Sequence, residues 1–257
     1  MSDDDRKERD ARVERFRELS FDDFRRLAGD ANLSPHEKIG FPDAYRAGKG
    51  PAIVSDIRRK LPALDRRGAR VLDIGPGCGE VAMLLLELVR RNDLDITLID
   101  SPEMLSHLPE PPHGRKMAGY YPRDCRELAR QPPFDAILAY SVLHYVFKEF
   151  PLFEFLDFSL ALLAPGGAML IGDIPNVSMR KRFFASEAGI RAHKAYTGGD
   201  DTPVVTFNTL DAGAIDDAVV MSLVQRCRAA GFHAFVVPQA EDLPMANRRE
   251  DVLIVRP

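Results

Sequence analysis

The segment VLDIGPGCGE, residues 71–80, sets Gly75, Gly77 and Gly79 at alternate positions between a β-rich run and a leucine-dense one. Glycine has no Cβ, so such a stretch turns sharply and lets a ligand press against main-chain N–H groups at a helix start. Asp73 precedes the first of these glycines by two residues, where a carboxylate faces the loop and can orient its amides or receive an ammonium group. Taken alone, the loop reads equally well as a tight strand-to-helix turn that binds nothing. Asp100 supplies the second half of the pattern, because it closes the next β-rich run. In a doubly wound sheet that strand neighbours the first, and its terminal carboxylate can accept hydrogen bonds from a ribose diol. Together the two features imply a nucleoside ligand, although Asp100 or Ser101 also suits a plain helix cap. The spacing is GxGxG rather than GxGxxG, and Glu80 follows in the first helical turn, where a carboxylate repels a diphosphate. A dinucleotide is therefore the weaker fit.

These residues need strands and helices in series to bring them together. Residues 70–74, 95–99, about 115–118, 134–139 and 168–171 read as five strands, and helical runs cover 80–91 and 150–163. Ser101-Pro102-Glu103 is a helix start, and Pro165-Gly166-Gly167 is a turn into the fifth strand. A polar insertion spans about 174–214. A helix over 216–230, ended by Gly231, then leads to two strands at 233–237 and 252–255 that suit an antiparallel pair. Upstream, Val13, Phe16, Leu19, Phe24 and Leu27 recur at helical spacing. Residues 32–50 read as a lid or connector, and Pro51 opens a helix carrying Ile53, Val54, Ile57 and Leu61. The expected organisation is a helical extension over 1–50 and one α/β domain over 51–257.

A chain of 257 residues with 45% hydrophobic and 29% charged content carries enough apolar material for one large domain. Lys and Arg total 35 against 39 Asp and Glu, a formal net charge of -4, so no global basic field attracts nucleic acid. Cys78, Cys125 and Cys227 lie far apart, which suggests neither a disulfide framework nor a zinc site. The opening MSDDDRKERD is charged where a secretory signal needs an apolar core, and no apolar stretch is long enough to span a bilayer. The expected location is the cytoplasm.

Over residues 51–257 the sequence resembles the class I S-adenosylmethionine-dependent methyltransferases. The resemblance is carried by VLDIGPGCGE, by LIDSPEML at 98–105, by FDAILAYSVLHYV at 134–146 and by LLAPGGAMLIGD at 162–173, in the family's order. It implies a three-layer α/β sandwich with a seven-stranded, mostly parallel sheet of order 3-2-1-4-5-7-6, its last strand antiparallel, preceded here by N-terminal helices. It also implies S-adenosylmethionine as cofactor, held by Asp73, Gly75, Pro76, Gly77, Gly79, Asp100, Ser101, Met104, Tyr120, Tyr140 and Ser141. Family members often place an acidic residue near the adenine after the third strand, whereas this chain reads AGYYPRD at 118–124. Tyr120 or Tyr121 packing on the adenine, or Asp124 swinging in, are the alternatives. An NAD(P)-dependent oxidoreductase and a non-catalytic S-adenosylmethionine-binding module are the competing functions.

Methyl transfer from a sulfonium is an in-line displacement, so the protein mainly aligns the reacting atoms. A hydroxyl acceptor also needs its proton taken, and His144, just past strand four, is the expected base; its plainer role is packing beneath Tyr145 and Phe147. Asp173, ending strand five, is expected to orient His144 or bind the acceptor, or merely to cap a turn. A catechol-type metal site needs carboxylates ending both strands four and five, and Tyr140 stands in the first position, so transfer without metal is expected. AYSV replaces the NPPY-like tetrapeptide of amino-methylating enzymes, which favours oxygen over nitrogen. Arg180 and Arg182, flanking Lys181 beside Phe183 and Phe184, suit an anionic substrate or a solvated helix face. Tyr45 and Arg46, ending HEKIGFPDAYR, are expected to close over the site and touch substrate. Asn247, Arg248 and Arg249 read as a polar turn. The acceptor expected is a hydroxyl on a small molecule or glycan.

Overall fold

Val71, Leu72 and Ile74 in the first strand and Ile96, Leu98 and Ile99 in the second are each at most 2% exposed. Such unbroken apolar runs belong to parallel strands covered on both faces. The computed structural model describes residues 19–42 and 46–257. Its strands are β1 (Arg70–Ile74), β2 (Asp95–Asp100), β3 (Gly114–Ala118), β4 (Phe134–Tyr140), β5 (Leu163–Pro175), β6 (His233–Pro238) and β7 (Arg249–Val255). They form one sheet of order β3-β2-β1-β4-β5-β7-β6. β7 runs antiparallel to both β5 and β6, and the remaining pairs are parallel. This is the topology the resemblance implied.

The described helices are α1 (Phe21–Gly29), α2 (Pro35–Lys38), α3 (Gly50–Lys60), α4 (Glu80–Asn92), α5 (Pro102–Ser106), α6 (Leu143–Glu149), α7 (Leu152–Ala161), α8 (Val177–Phe184), α9 (Glu187–Thr197) and α10 (Asp217–Ala229). The period-two alternation of strand side chains divides the core. Leu72, Ile137 and Ile171 face α7 and α10 through Phe155, Leu156 and Leu223, while Val71, Leu138 and Leu170 face α3 and α4 through Ile53, Ile57 and Leu85.

Several elements differ from the sequence reading for identifiable reasons. The N-terminal helix starts at Phe21, where Ser20 and Asp23 form a capping box, and the earlier part of that expected helix lies outside the described residues. The helix expected over 150–163 begins after Pro151, and a separate α6 precedes it from Leu143. β5 starts earlier than expected: Leu163 pairs with Phe134 and Ala168 with Ala136, and the turn between them, with Gly166 at φ +72°, is accommodated as a bulge. The polar insertion holds α8 and α9, capped by Asn176 and Ser186. Tyr45, an expected substrate contact, lies outside the described residues.

Candidate active site

Gly75 and Gly77 adopt φ of +67° and +65°. A Cβ on Gly75 would lie 2.7 Å from Val142 Cγ2, and one on Gly77 would lie 2.7 Å from Ile39 Cγ2. Both backbone conformation and space therefore demand glycine here. The Gly77 N–H donates to Asp100 Oδ2 at 3.0 Å, and the Ser101 N–H donates to Asp100 Oδ1 at 2.7 Å. Asp100 thus orients the loop, one of the two tasks the sequence reading offered Asp73. Each Asp100 oxygen keeps a second lone pair for a further donor. Asp73 is buried, and no hydrogen bond among the described residues reaches its carboxyl. Burial, then the nearby charge of Asp100, pushes the Asp73 carboxyl up to about 7. Burial pushes Asp100 up to about 6 against the pull of its two N–H donors.

Both carboxylates open into one cleft of about 1120 Å³, its open mouth included. Gly75, Pro76, Gly77, Met104 and Tyr120 line the same end, and Tyr140, Ser141, Val142 and Tyr145 line the other. Phe21, Phe24, Ile39 and Phe41 roof it from the N-terminal segment. That roof is fastened at several points. The Phe24 ring meets Tyr145 edge-on at 4.7 Å, Phe21 meets Tyr120 at 4.9 Å, and Arg25 pairs with Glu103 at 2.8 Å. Of the three alternatives near the adenine position, Tyr120 faces the cleft with its hydroxyl donating to Glu149 at 3.3 Å. Tyr121 lines the cleft as well, though its hydroxyl is joined to Ser159 at 2.8 Å in the core, and Asp124, which does not line it, pairs with Arg123.

At the far end the ends of β4 and β5 are tied together. β5 carries one extra residue against β7 between Ile171 and Ile174, a bulge that re-aims Asp173. Asp173 has φ +60°, as does Ser141, conformations that non-glycine residues hold only when their surroundings enforce them. The Ser141 hydroxyl donates to Asp173 Oδ2. The same oxygen pairs with Arg46 at 2.6 Å and Arg249 at 2.9 Å, while the Asp173 N–H donates to Asp251 Oδ1 at 2.8 Å. Burial pushes the Asp173 carboxyl up, but Arg249, Arg46 and the Ser141 hydroxyl outweigh it and hold the group below the usual carboxylate range. Lys60 and Gln239 extend the network through Asp251, at 2.7 and 3.0 Å.

Several expected contacts are absent from the cleft. The Ser101 hydroxyl is spent accepting the Met104 N–H at 3.1 Å as the cap of α5, and Gly79 opens α4 beneath Ile39. Asp173 is committed to its ion pairs. His144 does not line the cleft; its Nδ1 is buried without a hydrogen-bond partner among the described residues, and its ring lies 3.8 Å from that of Tyr145. Burial, then the charge of Arg249, lowers the imidazole to about 3, so it is neutral at pH 7 but a weak proton acceptor. Arg182 pairs with Asp217 on the surface, and exposed Arg180 packs over Phe184, which is the solvated helix face rather than a cleft wall. Sequence reasoning missed Tyr145, Phe41 and Arg249. A φ-breaking Phe41-Pro42 pair and an arginine opening a strand carry no local sign of meeting at one site.

The residues present fit S-adenosylmethionine. That molecule offers an ammonium, a sulfonium and a ribose diol, and two buried carboxylates at one cleft end suit cations and hydroxyl donors while opposing a diphosphate. A family model described as a methyltransferase domain matches residues 46–195, more than half of the chain, and the chain belongs to that family. S-adenosylmethionine is the cofactor. The fold is shared with an O-methyltransferase family protein from Burkholderia thailandensis, at 17% identity and TM-score 0.54, covering 92% of this chain and 63% of that one. It is shared too with the CurJ carbon methyltransferase, at 18% identity and TM-score 0.52, covering 87% and 61%. The plantazolicin methyltransferase BamL, solved in complex with a triazolic desmethylPZN analog and SAH, aligns at 14% identity and TM-score 0.54, covering 91% and 97%. This chain therefore spans less than two thirds of the first two of these proteins. Curated proteins yield no match to the sequence. No described helix is long and apolar enough to cross a membrane.

Proposed function

We propose that this chain transfers the methyl group of S-adenosylmethionine to an oxygen of a small-molecule acceptor, without a metal. The observation that carries the reading is the pairing of Asp73 and Asp100 around the glycine loop at one end of an aromatic cleft. When bound, S-adenosylmethionine supplies an electrophilic methyl on a sulfonium. Asp73 receives the ammonium, Asp100 the ribose hydroxyls while still holding Gly77, and Met104 and Tyr120 flank the base. The acceptor lies against Tyr140 and Tyr145. Residues 19–42 act as a roof, whose Phe21, Phe24, Ile39 and Phe41 exclude water and narrow the approach to an aligned one.

Burial raises the Tyr140 and Tyr145 phenols above the ordinary tyrosine range, and His144 is withdrawn from the cleft. An acceptor whose own hydroxyl is acidic, a phenol or enol, therefore suits the cleft better than one that needs a protein base. Aromatic walls favour a flat acceptor over a glycan. A screen with radiolabelled methyl donor against phenols, alcohols and sugars tests this. Label in phenols or enols supports it; donor binding with no label in any acceptor would make the chain a binding module instead.

A further inference from the structure

Arg46 is 5% exposed and lines the end of the cleft opposite Asp73 and Asp100. One of its amino groups donates to Asp173 Oδ2 at 2.6 Å and to Ser141 Oγ at 2.8 Å, and the guanidinium lies 4.1 Å from the centre of the Phe41 ring. Its Nε is buried and has no hydrogen-bond partner among the described residues. Guanidinium is a planar fork of five donors, and the bonds to Asp173 and Ser141 engage only one of its two amino groups, which leaves further donors for a ligand oxygen. Arg249 stands on the other side of Asp173, so two guanidiniums surround a single carboxylate. Asp251, the next acid, is met by Lys60, Gln239 and the Asp173 N–H. Tyr140 and Tyr145 also line this end, and their hydroxyls make no hydrogen bond among the described residues. The cleft walls are thus largely apolar and its charged groups differ between the ends: acidic where a cationic donor fits, cationic and aromatic at the other.

Resting on the methyl-transfer reading above, we infer that Arg46 is a specificity-determining residue that binds a carboxylate on a flat aromatic acceptor, and that this carboxylate is not the group methylated. The second half follows from charge. In the transfer an acceptor oxygen forms the new O–C bond as the S–C bond breaks, the sulfonium becomes a neutral thioether, and the hydroxyl proton passes to water. Negative charge on the attacking oxygen is lost on the way, so a guanidinium beside that oxygen would stabilise the ground state more than the transition state. Arg46 therefore serves an anion that keeps its charge throughout. Asp173, joined to Ser141 and held in its bulge, fixes the guanidinium in place as a positioning residue.

The test uses the full chain saturated with S-adenosylhomocysteine, titrated calorimetrically with 6-hydroxy-2-naphthoate and with 6-hydroxy-2-naphthamide, which differ only in the acid group. The acid is expected to bind at least ten-fold more tightly than the amide, and Arg46→Gln to abolish that preference. Because Arg46→Gln also strips Asp173 of a partner, the comparison within the unaltered protein is decisive by itself. Equal binding of acid and amide, or no binding of the acid to the loaded protein, overturns the inference alone. Failure of S-adenosylhomocysteine to bind overturns the methyl-transfer reading, and this inference with it.

Discussion

Ser141 and Asp173 end adjacent strands, share a φ of +60° and are joined side chain to side chain, the serine hydroxyl donating to the carboxylate. Neighbouring strained residues persist because the ion pairs of Asp173 with Arg46 and Arg249 hold them. This junction ties the N-terminal segment, through Arg46, to the edge of the sheet where the cleft opens.

Asp173→Asn keeps the shape, and asparagine tolerates the left-handed backbone, but it leaves two nearly buried guanidiniums without their counter-charge. Breaking a buried pair by removing one partner costs about 3–5 kcal/mol. Chemical unfolding is expected to show a loss of that order. The folded pKa of Asp173 is depressed, so its stabilisation is present above the unfolded value near 3.8 and is lost as pH falls through the lower folded value. The variant should therefore lose that part of the acid dependence.

Gly77→Ala forces a Cβ to within 2.7 Å of Ile39 at a φ of +65°. Steric strain of about 1–3 kcal/mol is expected, with donor affinity falling by about ten-fold or more as the Gly77 N–H leaves Asp100. Adding Ile39→Ala should recover only the part due to the clash, because the backbone conformation stays unfavourable. Calorimetry on the single and double variants checks both.

The two carboxylates by the loop make donor binding depend on pH. Asp73 is pushed up to about 7 and Asp100 up to about 6, so the folded chain binds more protons than the unfolded one from about pH 4 to 7. Their contribution to stability accordingly falls as pH rises through that window. A cationic donor prefers the ionised forms, so the rise in Tm that S-adenosylmethionine produces is expected to grow from pH 5.5 to 8. Asp73→Asn should flatten the trend. A donor-induced shift that is constant over this range would refute it.

Burial and Arg249 hold His144 near 3, far from its ordinary value. The pH profile of kcat/KM should show no step near 6.5 arising from this residue. His144→Gln is expected to retain methyl transfer within about a factor of ten, the range left for loss of its packing on Tyr145, since a general base typically contributes more. A loss of a hundred-fold or more would restore it as a base.

What the sequence made legible was local. The glycine loop, Asp100 and the strands around them are readable because turn geometry and alternation act within a few residues, as at Gly75 and Gly77. The opposite end of the cleft is assembled from Arg46, Ser141, Asp173 and Arg249, and no periodicity connects residues so distant in the chain. Phe41 looks like a break and Arg249 like a turn until tertiary packing stacks the Arg46 guanidinium on the first and pairs the second with Asp173. Ser101 and Arg182 mislead for the opposite reason: each has a chemically useful group, but a helix cap and a surface ion pair use it.

The most direct measurement is calorimetric titration of S-adenosylhomocysteine and NAD into the unaltered chain, Asp73→Asn, Asp100→Ala and Arg180→Ala. S-adenosylhomocysteine is expected to bind once per chain, and NAD is not expected to bind. Affinity should drop at least ten-fold in the Asp73 and Asp100 variants and stay unchanged in Arg180→Ala. Binding of NAD instead, or affinity for S-adenosylhomocysteine untouched by either aspartate, would contradict this expectation.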